Sequence, residues 1–173
     1  MLRKERIMNQ KYSSANTSIN STKLPAIYKL REENLKGKKI LDIGGGKYDN
    51  AKVWASENGS LVSIYDKFNR SEEENREALS VQEYDVSILS NVLNVVQESE
   101  IRKDLIILAL NKAPVVYVTV YEGNGTGIGA ESKRDCWQEN RKTGDYVTEI
   151  LSYAQGCSVT KKGKVIEIRR EVA

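Results

Sequence analysis

The chain has 173 residues, 39% of them hydrophobic and 29% charged, and a net charge of +3. That length and balance suit one globular domain with its own core and exclude a disordered chain, while so small a net charge does not by itself argue for a nucleic-acid partner. Histidine is absent, which removes Ser-His-Asp, Cys-His and His-metal hydrolases together.

Residues 1–22 are polar and rich in Ser, Asn and Thr, with Arg3, Lys4, Arg6 and Lys11 near the start, and read as a flexible arm. Residues 23–173 read as a single domain. In "TKLPAIYKLREENLKG" the apolar Ile27, Leu30 and Leu35 stand at near-helical spacing before Gly37, which predicts one short helix. Lys39 to Ile43 is the first strand, and the Ala51, Trp54, Ala55 face predicts a helix closed by Gly59. "SLVSIYD" is a second strand ending at Asp66, and Ser71 is placed to cap a helix whose first turn holds Glu72, Glu73 and Glu74.

"YDVSILSNVLNVV" reads as a buried parallel strand and "ESEIRKDLIILALNKA" as an amphipathic helix behind it; "PVVYVTVYE" is another buried strand. "GNGTGIGA" carries four glycines in eight residues and has the composition of an active-site lid. Together with Lys133, Arg134 and the arm it is assigned to acceptor recognition. The helix that follows is predicted to bury Val147, Ile150 and Leu151, and two alternating runs around Lys162 and Gly163 predict a hairpin. The order calls for a three-layer α/β fold, its sheet mainly parallel with a C-terminal antiparallel hairpin.

Cys136 and Cys157 stand 21 residues apart with no partner cluster, so reduced thiols and no metal site are expected. No run approaches the roughly eighteen apolar residues of a membrane span, and the start lacks a secretion signal, so a cytoplasmic protein is expected.

The chemistry concentrates in "KKILDIGGGKYDN". Gly44, Gly45 and Gly46 follow the first strand, where a turn without side chains lets a ligand approach main-chain N–H groups. The dinucleotide fingerprint needs a further glycine at position 49, which is Asp49, and Asp42 precedes the turn. Two carboxylates there would repel a pyrophosphate, which disfavours a nicotinamide-dependent oxidoreductase. A cofactor with a cationic end reverses that sign, and S-adenosylmethionine is one. Asp66 then stands where a carboxylate can accept both ribose hydroxyls.

"LDIGGGKYDN", "SIYDKFN" and "YDVSILSNVLNVV", in this order, resemble motifs of the class I (Rossmann-like) S-adenosylmethionine-dependent methyltransferases. With "TSINSTKLP" and "SKRDCWQENRKTGDYVTEIL" they are similar, more specifically, to methyltransferases found in phage genomes and beside DNA phosphorothioation genes. The resemblance implies that Asp42, Gly44, Gly45, Gly46, Asp66, Asp85 and Ser90 bind the cofactor. It implies too that Ser90 and Asn91 face the transferred methyl group or its acceptor.

Two departures stand out. No counterpart of the usual third strand, or of the acidic residue that reads adenine, lies between Asp66 and Asp85, and "SNVL" occupies the place of the D/N-P-P-Y/F tetrapeptide of amino-methylating DNA enzymes. Methyl transfer needs positioning and, for some acceptors, a base. Asn91, Asn94, Tyr121 and Glu122 are the catalytic candidates. The acceptor is unnamed, with nucleic acid as one candidate, and a non-catalytic nucleoside-binding module of phage origin stands as the alternative.

Overall fold

The computed structural model describes residues 9–13, 22–133 and 135–172. Most of the expected arm, and Arg134, lie outside the described residues.

Four five-residue strands form the parallel part of the sheet: β1 (Lys39–Ile43), β2 (Leu61–Tyr65), β3 (Val86–Ser90) and β4 (Val115–Thr119). Their β-branched and aliphatic runs are buried on both faces at the centre, as parallel strands covered by helices require. β7 (Cys157–Lys162) and β8 (Val165–Arg170) form the hairpin and complete a six-stranded sheet in the order β2-β1-β3-β4-β8-β7. β1 pairs in parallel with β2 and β3, and β3 with β4, whereas β8 runs antiparallel to both β4 and β7. Among the described residues no strand lies between β2 and β3 in the chain, so β2 is an edge strand and its Leu61 is 70% exposed.

The two faces separate by the strands' period of two. Ile40, Val86, Ile88, Val115 and Tyr117 pack with α1 (Ile27–Leu30), α2 (Glu32–Leu35) and α3 (Asn50–Glu57) through Ile27, Tyr28, Leu35 and Trp54. Leu41, Ile43, Leu89, Val116 and Val118 form the other core with α4 (Glu72–Ser80), α5 (Ser99–Lys112) and α6 (Thr143–Tyr153). A right-handed crossover dictates this split. The step from β1 to β2 moves one way along the sheet and the step from β2 to β3 moves back, so their helices must lie on opposite faces. The winding therefore reverses between β1 and β3.

Three expectations are corrected. The single helix before β1 is two one-turn pieces broken at Arg31, with Tyr28 buried and Leu30 51% exposed. On α6, Ile150 and Tyr146 are fully buried, whereas Leu151 is 52% exposed. The glycine-rich segment leads into a second, two-stranded sheet, β5 (Ala130–Lys133) and β6 (Cys136–Gln138), where no strand was expected. No described helix is long and apolar enough to cross a membrane.

Candidate functional site

In a sheet of this kind the crevice lies beyond the carboxyl ends of the strands, where the winding reverses. β1 delivers the glycine turn to that point. Gly44 and Gly46 have φ of 73° and 79°, a backbone open to glycine and strained for other residues. The turn is also tightly enclosed. A Cβ on Gly44 would meet Val92 Cγ2 at 2.6 Å, and one on Gly45 would lie 2.9 Å from Ile64 Cγ2 and 3.0 Å from Asp42 Cγ.

Asp42, 1% exposed, stands one residue before the end of β1. Its Oδ2 accepts a 2.6 Å hydrogen bond from the Tyr28 hydroxyl, and its Oδ1 has no partner among the described residues. Burial pushes the Asp42 carboxyl up from 3.8 to about 6; the Tyr28 hydrogen bond pulls it down and the Asp66 charge adds to the rise. Burial and the Asp42 charge in turn hold the Tyr28 hydroxyl protonated, so it remains a donor. An unpartnered oxygen on a buried carboxylate is costly, and a cationic or N–H-bearing ligand would satisfy it.

Asp66 is also buried but fully used. Its Oδ2 accepts from the Gly46 amide at 2.8 Å, and its Oδ1 from the Phe68 and Asn69 amides at 3.0 Å each and from Asn69 Nδ2 at 3.1 Å. It thus pins the glycine turn to the loop after β2. Arg70 fastens the same turn, donating to the Gly46 and Tyr48 carbonyls at 2.8 Å and to Asp49 Oδ1 at 2.7 Å. Sequence reasoning missed Arg70 and Tyr28, because both partnerships join segments more than ten residues apart. The Arg70 pairing also offsets the Asp49 charge, so the argument against a pyrophosphate now rests on Asp42.

Beside Asp66 lies a narrow cavity of about 40 Å³, lined by Gly44, Phe68, Val95, Val96, Leu105 and Gln10. Part of its apolar wall, Val95 and Val96, comes from the short 3₁₀ turn Leu93–Val95 and its successor, which the sequence had continued as strand.

The remaining candidates divide. Ser90 and Asn91 end β3 at this edge; Ser90 Oγ accepts from Thr119 Oγ1 at 3.1 Å, and Asn91 holds a left-handed φ of 56°. Tyr121, just beyond β4, is 60% exposed on the rim. Asn94 is buried, with Nδ2 donating to Gln138 Oε1 at 3.1 Å, and joins the 3₁₀ turn to β6. Glu122 accepts from the Thr143 amide at 3.0 Å and pairs with Lys164, which makes it an anchor for α6. Asp85 stands at the opposite edge, exposed, where its Oδ2 accepts from the Lys39 amide at 2.8 Å at the start of β1. A residue that opens β3 cannot share the crevice reached by the ends of β1 and β3, so Asp85 is not placed with the glycine turn.

No family model matches this chain, and no curated protein sequence is similar to it. Solved structures share its architecture. The 1,6-didemethyltoxoflavin-N1-methyltransferase of Burkholderia thailandensis, solved with 1,6-didemethyltoxoflavin and S-adenosylhomocysteine, superposes with a TM-score of 0.63 at 14% identity, over 98% of this chain and 87% of its own. A methyltransferase of Methanosarcina mazei gives 0.60 at 13% identity, over 84% of this chain and 99% of its own. The magnesium protoporphyrin IX methyltransferase of Synechocystis, solved with bound S-adenosylmethionine, gives 0.51 at 17%, over 98% and 90%. The fold is therefore that of the class I, Rossmann-like methyltransferases, with no strand outside β2 among the described residues.

Proposed function

We propose that this protein is an S-adenosylmethionine-dependent methyltransferase. The observation that carries the reading is the free Oδ1 of buried Asp42 beside a glycine turn, at the point where the winding reverses. The cofactor's ammonium group would satisfy that oxygen, and its ribose would compete with the loop amides for Asp66. Its adenine belongs against Phe68, Val95 and Val96. The similar structures solved with S-adenosylmethionine or S-adenosylhomocysteine support the same choice. When bound, the cofactor supplies an electrophilic methyl group.

The chain's own part is to orient the acceptor. Ser90, Asn91 and Tyr121 line the edge where it must approach. Glu122 is committed to internal bonds and Asn94 is an amide, which makes both poor bases, so the acceptor best suited carries a lone pair free at neutral pH. An anionic acceptor, nucleic acid first among them, is supported by the exposed Lys133 on β5. A groove of about 560 Å³ lined by Arg31, Lys162 and Lys164 supports it further. The motif similarity to phage enzymes and the expected cytoplasmic setting agree with such an acceptor.

A second reading, a nucleoside-binding module without catalysis, is favoured by one observation: the cavity beside Asp66 is far smaller than the ~300–1,000 Å³ of ordinary ligand sites. Calorimetric titration with S-adenosylmethionine, S-adenosylhomocysteine and NAD, followed by transfer of labelled methyl to DNA, RNA and lysate protein, separates the readings. Binding of the first two with transfer supports the enzyme, and binding without transfer supports the module. Binding of NAD alone overturns both.

A further inference from the structure

Residues 10–12 reach the cavity beside Asp66 through Gln10. Half-buried Gln10 forms part of its wall, with its Nε2 donating to the Tyr12 carbonyl at 2.7 Å. The Lys11 amide donates to Glu98 Oε1 at 2.9 Å, just before α5. Tyr12 then stacks on Trp137 of β6, ring centroids 5.3 Å apart and planes 27° from parallel. One short segment thus touches the cavity, the start of α5 and the β5–β6 sheet. With it in place the cavity holds about 40 Å³, little more than the share of one water molecule.

We propose that residues 10–12 are a strap that occupies the nucleoside slot and competes with the cofactor for it, so that cofactor binding unstacks Tyr12 from Trp137. The inference rests on the cofactor reading above. Its contacts suit a displaceable strap. Among its contacts, the Lys11 main-chain hydrogen bond to Glu98 and the Tyr12–Trp137 pair, the pair worth roughly two- to twelvefold in an equilibrium, can each be given up at modest cost. Neither of these two uses the glycine turn, Asp42 or Asp66. Lifting the strap would leave the methionine end of the site as it is and open the adenine end alone. Because Trp137 lies on the rim sheet, the same movement would report cofactor occupancy to the acceptor side.

The test compares the full chain with Tyr12→Ala, titrating each with S-adenosylhomocysteine by calorimetry and by tryptophan fluorescence. Trp137→Phe identifies which of the two tryptophans gives the signal. The expected result is three- to tenfold tighter binding by Tyr12→Ala, and in the unmodified chain a fluorescence change on binding that Trp137→Phe abolishes. Equal or weaker binding by Tyr12→Ala, in a chain that binds the ligand, overturns the strap and leaves the cofactor reading standing. Absence of binding in both chains overturns the two together.

Discussion

Asp42 carries a conflict between folding and binding within one side chain. Its carboxyl titrates near 6 because it is buried, whereas an unfolded aspartate titrates near ~3.9. The folded state therefore binds this proton more tightly than the unfolded chain. The stability the group contributes is full below about pH 4, and it is lost as pH rises to about 6, by up to about 3 kcal/mol at ~1.36 kcal/mol per unit. Asp42→Asn keeps the volume and an acceptor for Tyr28 while deleting the charge. Urea unfolding should show this variant about 1–3 kcal/mol more stable than the unmodified chain at pH 8, with the gap closing toward pH 4. Its affinity for S-adenosylmethionine should fall. A gap that does not change with pH would mean that the charge on Asp42 is not what burdens the fold. Asp66 differs at this scale. Simple sequence logic makes Asp66→Ala a clean probe of ribose binding, but its carboxylate holds four N–H groups. That substitution should cost about 1–3 kcal/mol of stability as well as affinity.

Elements obey local rules where their partners are near in sequence. α4 begins with a complete capping box: Ser71 Oγ accepts from the Glu74 amide at 3.1 Å, and Glu74 Oε2 accepts from the Ser71 amide at 3.0 Å. Ser71→Ala should therefore lower thermal stability by about 1 kcal/mol while leaving cofactor affinity unchanged. A loss of affinity instead would mean that the cap supports Asp66, through Asn75 on the same helix, which bonds the Asp66 main chain. The cap, the four parallel strands and the C-terminal hairpin were legible in the sequence because each is written in a run of adjacent residues. The β5–β6 sheet was not, since its short strands "AESK" and "CWQ" show little alternation and follow a glycine-rich segment. The site was half legible for the same reason. The glycine turn, Asp42 and Asp66 are local signals, but Tyr28, Arg70, Glu122 and Asn94 are defined by partners distant in the chain.

At the scale of the molecule, one buried cation ties the layers on the far side of the sheet. Arg102 of α5, with its side chain 6% exposed, donates to the Val96 and Gln97 carbonyls at 2.7 and 2.9 Å. It also pairs with Glu139 beyond β6 and Glu149 of α6. Arg141 joins through Glu149 at 3.4 Å. Burial pushes the Glu149 carboxyl up, but the Arg102 hydrogen bonds and charge outweigh it and leave the group below its ordinary value. A depressed carboxylate contributes stability above its unfolded value, near ~4.3, and loses it as pH falls through the folded one. Removing the arginine takes Glu139 from its ion-pair partner, leaves Glu149 with Arg141 alone, and frees the turn that lines the cavity beside Asp66. Arg102→Ala should therefore cost about 3–5 kcal/mol at pH 7, the range for breaking a buried pair from one side. Arg102→Met with Glu149→Gln should recover part of that loss, because fewer charges are left unpaired. Denaturant melts at pH 7 and pH 3.5 check both statements. The deficit of Arg102→Ala should shrink at the lower pH, as Glu149, no longer held down by the arginine, takes up a proton. A deficit that is the same at both values would mean that Arg102 acts through its packing and its bonds to the Val96 and Gln97 carbonyls, not through charge.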